Sequence, residues 1–341
     1  MSDIIRVGFV GAGANTRLRH LPGFAAMDGV RLAAVANRSA DSSNSVAGDF
    51  KIAKVARGWR EIVDDPEIDA ICIGTWPYMH AEITVAALEA GKHVLTEARM
   101  AANLGEARAM HAASKAHPWL VAQIVPSPFT LDLDTTVRGL VEGEVLGDII
   151  EVAVDHSYGA HADPDAPLSW RQDPRFSGIN IMTLGIYHEA VQRWFKDLCQ
   201  VTHVSSRVVT PQRIHWESGE LVPVVIPDVL QVAGCLERGT LLNYHFSSVE
   251  KGPGCNRIKL TGTRATLRVD IAGNALYLSD NENGEQPVVV PESERRGWQV
   301  EADFIGSIRD GRPVELTSFD DGLRYMEFTD AVHRGLPSLS C

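Results

Sequence analysis

Apolar positions in the first third of the chain fall into short, nearly unbroken runs separated by stretches that read as helices. The runs occupy residues 4–10, 30–36, 68–74, 92–96 and 120–124, with a short β-like segment at 54–56. Between them lie candidate helices at 16–27, 41–50, 59–63, 78–90 and 104–116. A near-continuous apolar run is expected of a strand covered on both faces, and its alternation with helices predicts a doubly wound parallel sheet. Pro22 interrupts the first helix, Pro77 suits a first helical turn, and Gly91 is a good stop signal.

Past Pro126 and Pro128 the rhythm changes. A helix at 131–141 and a strand at 149–156 are followed by an Asp- and Pro-rich stretch, 159–175, that lacks periodicity and reads as a long loop. An amphipathic helix is expected at 181–195. Six β-like runs follow, at 201–209, 229–236, 241–246, 257–261, 266–271 and 275–278, and then two closing helices at 300–309 and 320–333. Strands clustered with few helices indicate an open, mainly antiparallel sheet. The expectation is therefore an α/β chain of two domains: 1–124 with a parallel sheet, and 125–341 as an α+β domain.

The first run ends in Gly11-Ala12-Gly13-Ala14-Asn15-Thr16. Gly11 permits a tight turn, Gly13 lets a pyrophosphate approach the backbone, and the helix that follows aims its N–H groups at phosphates. A full dinucleotide fingerprint ends in a third glycine, where this chain has Thr16; alone the motif equally fits a Gly-rich turn in any α/β domain. The second run ends in Asn37-Arg38-Ser39, where an NAD site usually carries Asp or Glu. A carboxylate repels a 2′-phosphate, whereas Arg38 pairs with it and Asn37 and Ser39 hydrogen-bond it. NADP(H) is therefore favoured over NAD(H); the alternative is a solvated Arg38 stacking on adenine.

Composition narrows the partners. The net charge of −12 argues against nucleic acid or an anionic membrane. No window is apolar enough to span a membrane, and the N-terminus does not read as a signal peptide. Five scattered cysteines fit neither a disulfide framework nor a zinc site, so a reducing cytoplasm and no metal are expected.

The chain resembles the glucose–fructose oxidoreductase/inositol dehydrogenase/rhizopine catabolism (Gfo/Idh/MocA) family over nearly its whole length. The resemblance rests on Gly11-Ala12-Gly13, the 73–80 block, the 87–97 run through Ala90-Gly91-Lys92-His93-Val94 to Glu97, Gly147-Asp148-Ile149, the 170–188 block and Gly311-Arg312-Pro313. It implies a Rossmann domain, a second domain whose open sheet forms an oligomer (dimer or tetramer) interface, and NAD(P)-linked redox chemistry on sugars and polyols. The cofactor set it implies is Gly11, Ala12, Gly13, Ala14, Asn15, Asn37, Arg38, Ser39, Thr75, Trp76, Pro77, His80, Glu97 and Ala98, though His80 and His93 have structural roles by default.

The family usually follows the Glu with Lys-Pro and carries Asp and His four residues apart on a later helix. Here Ala98-Arg99 replace Lys-Pro, and Thr183 and Tyr187 fall at the Asp and His positions. On a helix, Asn180, Thr183 and Tyr187 form one polar stripe. Tyr187 is then the favoured proton donor or acceptor, provided a cation such as Arg99 lowers its pKa. His188 lies about 100° round the helix and is a candidate at the pocket edge. Glu97, Asn180, Trp170, Arg171 and His156 complete the candidate substrate site, with His161 beside it; each histidine alone, and a Trp170 that anchors its loop, also has a purely structural reading. Three functions remain open: an NADP(H)-preferring oxidoreductase of a CH–OH/C=O pair in a sugar, polyol or sugar-derived acid; a non-catalytic NAD(P)-binding regulator; or elimination or isomerisation through transient oxidation.

Overall fold

The structure is a computed structural model and describes residues 4–337. The chain forms two compact units, residues 1–126 with 299–326, and residues 127–298 with 327–341.

The first unit is built on six strands: β1 (Ile5–Val10), β2 (Val30–Ala36), β3 (Lys54–Val55), β4 (Ala70–Ile73), β5 (His93–Thr96) and β6 (Ala122–Ile124). They lie in the order β3-β2-β1-β4-β5-β6, all parallel. The helices between them are α1 (Leu21–Ala25), α2 (Ala40–Phe50), α3 (Trp59–Val63), α4 (His80–Glu89) and α5 (Leu104–Ala116). A π-turn, Thr16–His20, precedes α1 and leads directly into it, so Pro22 falls in the first turn of a new helix rather than breaking one. Side chains on caps start two others: Ser39 Oγ accepts from Ser42 N, and Asn103 Oδ1 from Glu106 N.

Register sets the working edge of this sheet. Val10 pairs with Ala36 and Ile73, and Ile73 pairs with Thr96. The next residues, Gly11, Asn37, Gly74 and Glu97, therefore emerge level at the carboxyl ends. The order of strands reverses between β1 and β4, where ligands of open α/β sheets bind.

The second unit holds α6 (Asp134–Glu142), β7 (Ile149–Ser157), α7 (Pro174–Ser177), α8 (Leu184–Trp194), and strands β8 (Cys199–Arg207), β9 (Gln212–Ile214), β10 (Leu221–Pro223), β11 (Val229–Leu236), β12 (Leu241–Ser247), β13 (Cys255–Gly262), β14 (Thr266–Asp270), β15 (Ala275–Asp280) and β16 (Gly284–Val288). Eight of them form one sheet, β16-β15-β14-β13-β7-β12-β11-β8; only β12 and β7 pair in parallel. The small β9–β10 hairpin and β16 gave no apolar alternation to read. Apolar residues of the inner face, including Val152, Leu230, Phe246, Leu260 and Leu267, pack with Leu184, Tyr187 and Val191 of α8 in one core. Of the closing helices, α9 (Val300–Asp310) lies in the first unit, where Phe304 meets Phe24 edge-on at 6.2 Å. The last helix, α10, spans Phe319–Arg334.

Two expectations need correction. The helix expected from 181 begins at Leu184, because Met182 takes a left-handed φ of 45° and Thr183 is the cap residue. The segment 159–175 is not structureless: it contains a 3₁₀ turn at Trp170–Gln172, closed by a Ser169–Gln172 capping box, and runs into α7.

Candidate functional site

A cleft of ≈ 280 Å³ opens at the carboxyl edge of the parallel sheet, lined by Gly11, Ala12, Gly13, Asn37, Arg38, Ser42, Gly74, Thr75, Trp76 and Tyr78. Gly11 is required twice over: its φ is +78°, and a Cβ there would lie 2.7 Å from the Thr75 nitrogen. A Cβ on Gly13 would meet nothing nearer than 3.8 Å, so that backbone faces open space of the kind a pyrophosphate needs.

Thr16, in place of the third glycine, is buried. A Cβ on Gly74 would fall 2.1 Å from the Thr16 hydroxyl and 2.4 Å from the Gly11 carbonyl. The close packing that a glycine at 16 would allow is instead supplied by Gly74, just past the end of β4.

Asn37 is the hub of the adenosine end. Its Oδ1 accepts from Ala12 N at 2.6 Å, its Nδ2 donates to Ser42 Oγ at 2.8 Å, and its backbone N–H donates to Ser43 Oγ at 2.8 Å. Arg38 is exposed, with its guanidinium 5.9 Å from the Trp76 ring. No Asp or Glu lines the cleft. Sequence reasoning did not name Ser42, Gly74 or Tyr78 as site residues; Ser42 was signalled by its place three residues after the cap Ser39. Pro77 and His80 are buried. His80 is a brace: burial pushes its ring down, and its nitrogens face the carbonyls of Thr75 and Arg99, each at 2.9 Å.

Glu97 follows β5, and its side chain is tied by two partners within its unit. Its Oε1 receives Asn15 Nδ2 at 2.5 Å and His20 Nε2 at 3.0 Å, and His20 Nδ1 lies 2.5 Å from Glu301 Oε1. Burial alone would lower His20, but its bonds to Glu301 and Glu97 outweigh that and hold it at about 9. Burial would likewise lift Glu97; the His20 bond overrides it and leaves Glu97 low. Ala98 puts a methyl group where the family pattern has lysine, and Arg99 is buried.

The second unit gathers another polar cluster. The Tyr187 hydroxyl donates to Asn256 Oδ1, and His156 Nδ1 lies 2.9 Å from the Tyr187 hydroxyl oxygen. With the phenol proton given to Asn256, His156 must present Nδ1–H. Phe129, His156 and Phe246 surround the Tyr187 ring at 4.6, 4.8 and 5.5 Å. Burial raises the phenol well above its ordinary value and lowers His156 to about 4. The lowered Tyr187 expected from sequence is thus corrected: the surroundings are aromatic and amide, and desolvation works the other way.

His188 does not reach this cluster's edge. It is buried, stacked on Phe328 at 3.7 Å and bonded to the Tyr244 hydroxyl, and burial lowers it to about 3. The polar stripe is also broken. Asn180 lies before the helix, with Nδ2 donating to Ser177 O at 2.6 Å, and the buried Thr183 hydroxyl has no hydrogen-bond partner among the described residues. Trp170 is covered by its own neighbour, the Arg171 guanidinium at 4.4 Å. His161 binds Ser248 and Ser169 hydroxyls at 3.0 and 3.2 Å. Buried Arg213 of β9, which the sequence did not reveal, donates to the carbonyls of His161, Asp163 and Ala166, each at 2.8 Å, and so pins the long loop. Among the described residues no group of three His, Cys, Asp or Glu is placed to hold a metal, and no helix is long and apolar enough to cross a membrane.

Comparison with known proteins gives consistent matches. The family model described as an oxidoreductase family with an NAD-binding Rossmann fold matches residues 5–123, and that of the GFO/IDH/MocA C-terminal domain matches residues 135–268. Levoglucosan dehydrogenase of Pseudarthrobacter phenanthrenivorans is 30% identical over 144 residues, 42% of this chain and 37% of that protein. The NADP(+) scyllo-inositol 2-dehydrogenase IolW of Bacillus subtilis is 28% identical over 170 residues, 50% of this chain and 46% of that one. The matched stretches thus span less than half of these relatives' own lengths. Among solved structures, an oxidoreductase domain protein from Kribbella flavida superposes with a TM-score of 0.87 at 22% identity, covering 97% of this chain and 96% of that one. Levoglucosan dehydrogenase in complex with NADH and levoglucosan gives 0.86 at 21%, with the same coverage.

Proposed function

The chain belongs to the Gfo/Idh/MocA oxidoreductase family, and we propose that within it this protein is an NADP(H)-preferring oxidoreductase acting on a CH–OH/C=O pair of a sugar, polyol or sugar-derived acid. The observation that carries the cofactor preference is the end of β2. Asn37 is locked to the glycine loop by its Ala12 bond, Arg38 stands exposed beside the cleft over Trp76, and no carboxylate lines the cleft. That leaves a cation where a 2′-phosphate would lie and nothing to repel it. A bound nicotinamide supplies the hydride chemistry. The chain supplies the rest: Gly11 and Gly13 leave room for the pyrophosphate, and Glu97 stands at the end of β5.

In the second unit, the protonated Tyr187 hydroxyl is the candidate group to exchange a proton with the substrate oxygen, and burial, which disfavours its phenolate, limits that exchange. A second reading, a non-catalytic NAD(P)-binding regulator, is supported by the full burial of both Tyr187 and His188. The carbohydrate class draws support from relatives named for levoglucosan and scyllo-inositol.

Fluorescence titration with NADPH and NADH, then a screen of carbonyl sugars and polyols at the nicotinamide absorbance band, tests both halves. NADPH is expected to bind tighter, and Arg38→Ala to weaken NADPH about tenfold while sparing NADH. Tighter NADH, or an equal loss for both, overturns the preference. Binding without turnover of any substrate, unchanged in Tyr187→Phe, selects the regulator.

A further inference from the structure

Contacts to a dinucleotide do not account for the deepest charged group of the first unit. His20 ends the π-turn that follows the glycine loop and is fully buried, with a carboxylate oxygen on each ring nitrogen. We propose that His20 is a positioning residue: clamped between Glu97 and Glu301, it fixes Glu97 at the end of β5 and sets the upper pH limit of dinucleotide binding. The effect on binding rests on the reading above; the state of the ring does not.

A neutral imidazole has one donor and can serve one carboxylate only. With acceptors at 3.0 and 2.5 Å on opposite nitrogens, the ring satisfies two ionised carboxylates only when it donates at both and carries a positive charge. Glu97 comes from β5 and Glu301 from α9, and Asn15 Nδ2 shares the Glu97 oxygen. Cys72 of β4, near both carboxylates, is held as a thiol by burial, and His80 of α4, which acts on Glu97 through space, is held down by burial. Helix α1 closes the far side, where a Cβ on Gly23 would lie 2.9 Å from the Glu301 carboxylate. The ring thus lies between two carboxylates. When the ring loses its proton it can donate to only one of the two carboxylates, and Glu97 is then held to the glycine turn by its Asn15 bond alone.

The test is a histidine-ring NMR titration assigned with His20→Gln, run beside NADPH affinity from pH 7 to pH 10 in wild type and Glu301→Gln. One ring titrating near 9, absent in His20→Gln and lower by about one pH unit or more in Glu301→Gln, is expected. NADPH should weaken about fivefold or more through the same midpoint, and that midpoint should move with Glu301→Gln. A ring that titrates in the ordinary histidine range overturns the proposal. So does an affinity that is flat with pH, or a midpoint that Glu301→Gln leaves in place, as a merely structural role would give. If NADPH fails to bind even at pH 7, the dinucleotide reading falls, and the ring titration still decides whether the clamp exists.

Discussion

Two histidines, the buried His20 of the first unit and the half-buried His156 of the second, sit in opposite electrostatic surroundings. His20 has carboxylates on both nitrogens and is held up at about 9; His156 has a phenol and tilted or edge-on aromatic rings around it and is pushed down to about 4. Burial lowers both. What differs is whether the neighbours are charged acceptors, and in the first unit two of them reverse the sign. The first cluster is therefore an ionic clamp that fails when the pH rises. The second is a neutral hydrogen-bonded network that fails when the pH falls.

The strongest way to break this contrast is His20→Gln. It leaves two carboxylates buried with no cation, which should cost about 3–5 kcal/mol in thermal or denaturant unfolding. Restoring wild-type stability by adding Glu301→Gln would locate the loss in the charge rather than in packing. A loss below about 1 kcal/mol would mean the clamp is already dispensable. The pH dependence is next in size. Because the His20 value is raised from 6.5 to about 9, its contribution is fully present below 6.5 and disappears as pH climbs through about 9. That amounts to roughly 3 kcal/mol. For His156 the folded value is depressed, so stability from the second unit should fall as pH drops from 6.5 toward about 4. Unfolding monitored across both ranges should show losses at both ends, the alkaline one removed by His20→Gln and the acid one by His156→Gln.

Tyr187→Phe is a smaller probe of the neutral cluster. It strips the hydroxyl that the half-buried Asn256 and His156 share and should cost about 0.5–1.5 kcal/mol. A stability change near zero would mean water replaces the hydroxyl and that the cluster is open to solvent.

Much of the first unit could be read from the chain because its signals are local. β1 is buried on both faces and so reads as one apolar run, and Gly11 sits where φ is positive. The start of α8 was not legible: a methionine at 182 carries no warning of a left-handed backbone, and apolar spacing continues past the true helix end. The clamp was invisible for another reason. His20 and Glu301 are 281 positions apart, and only the packing of α9 near α1 brings them together. Tyr187 was placed correctly on α8, but its pKa direction depended on partners from β7 and β13 that no pattern along α8 reveals.

The exchange between Thr16 and Gly74 has a consequence for how such chains are found. What the turn demands is a vacancy, and the vacancy belongs to a pair of positions rather than to one. A search pattern that insists on glycine at the third place discards this chain, although the missing room is present on the neighbouring strand. In this chain the Thr16 hydroxyl obliges a bare backbone at Gly74. The two should therefore vary together, and their joint volume is the better signature of the pocket.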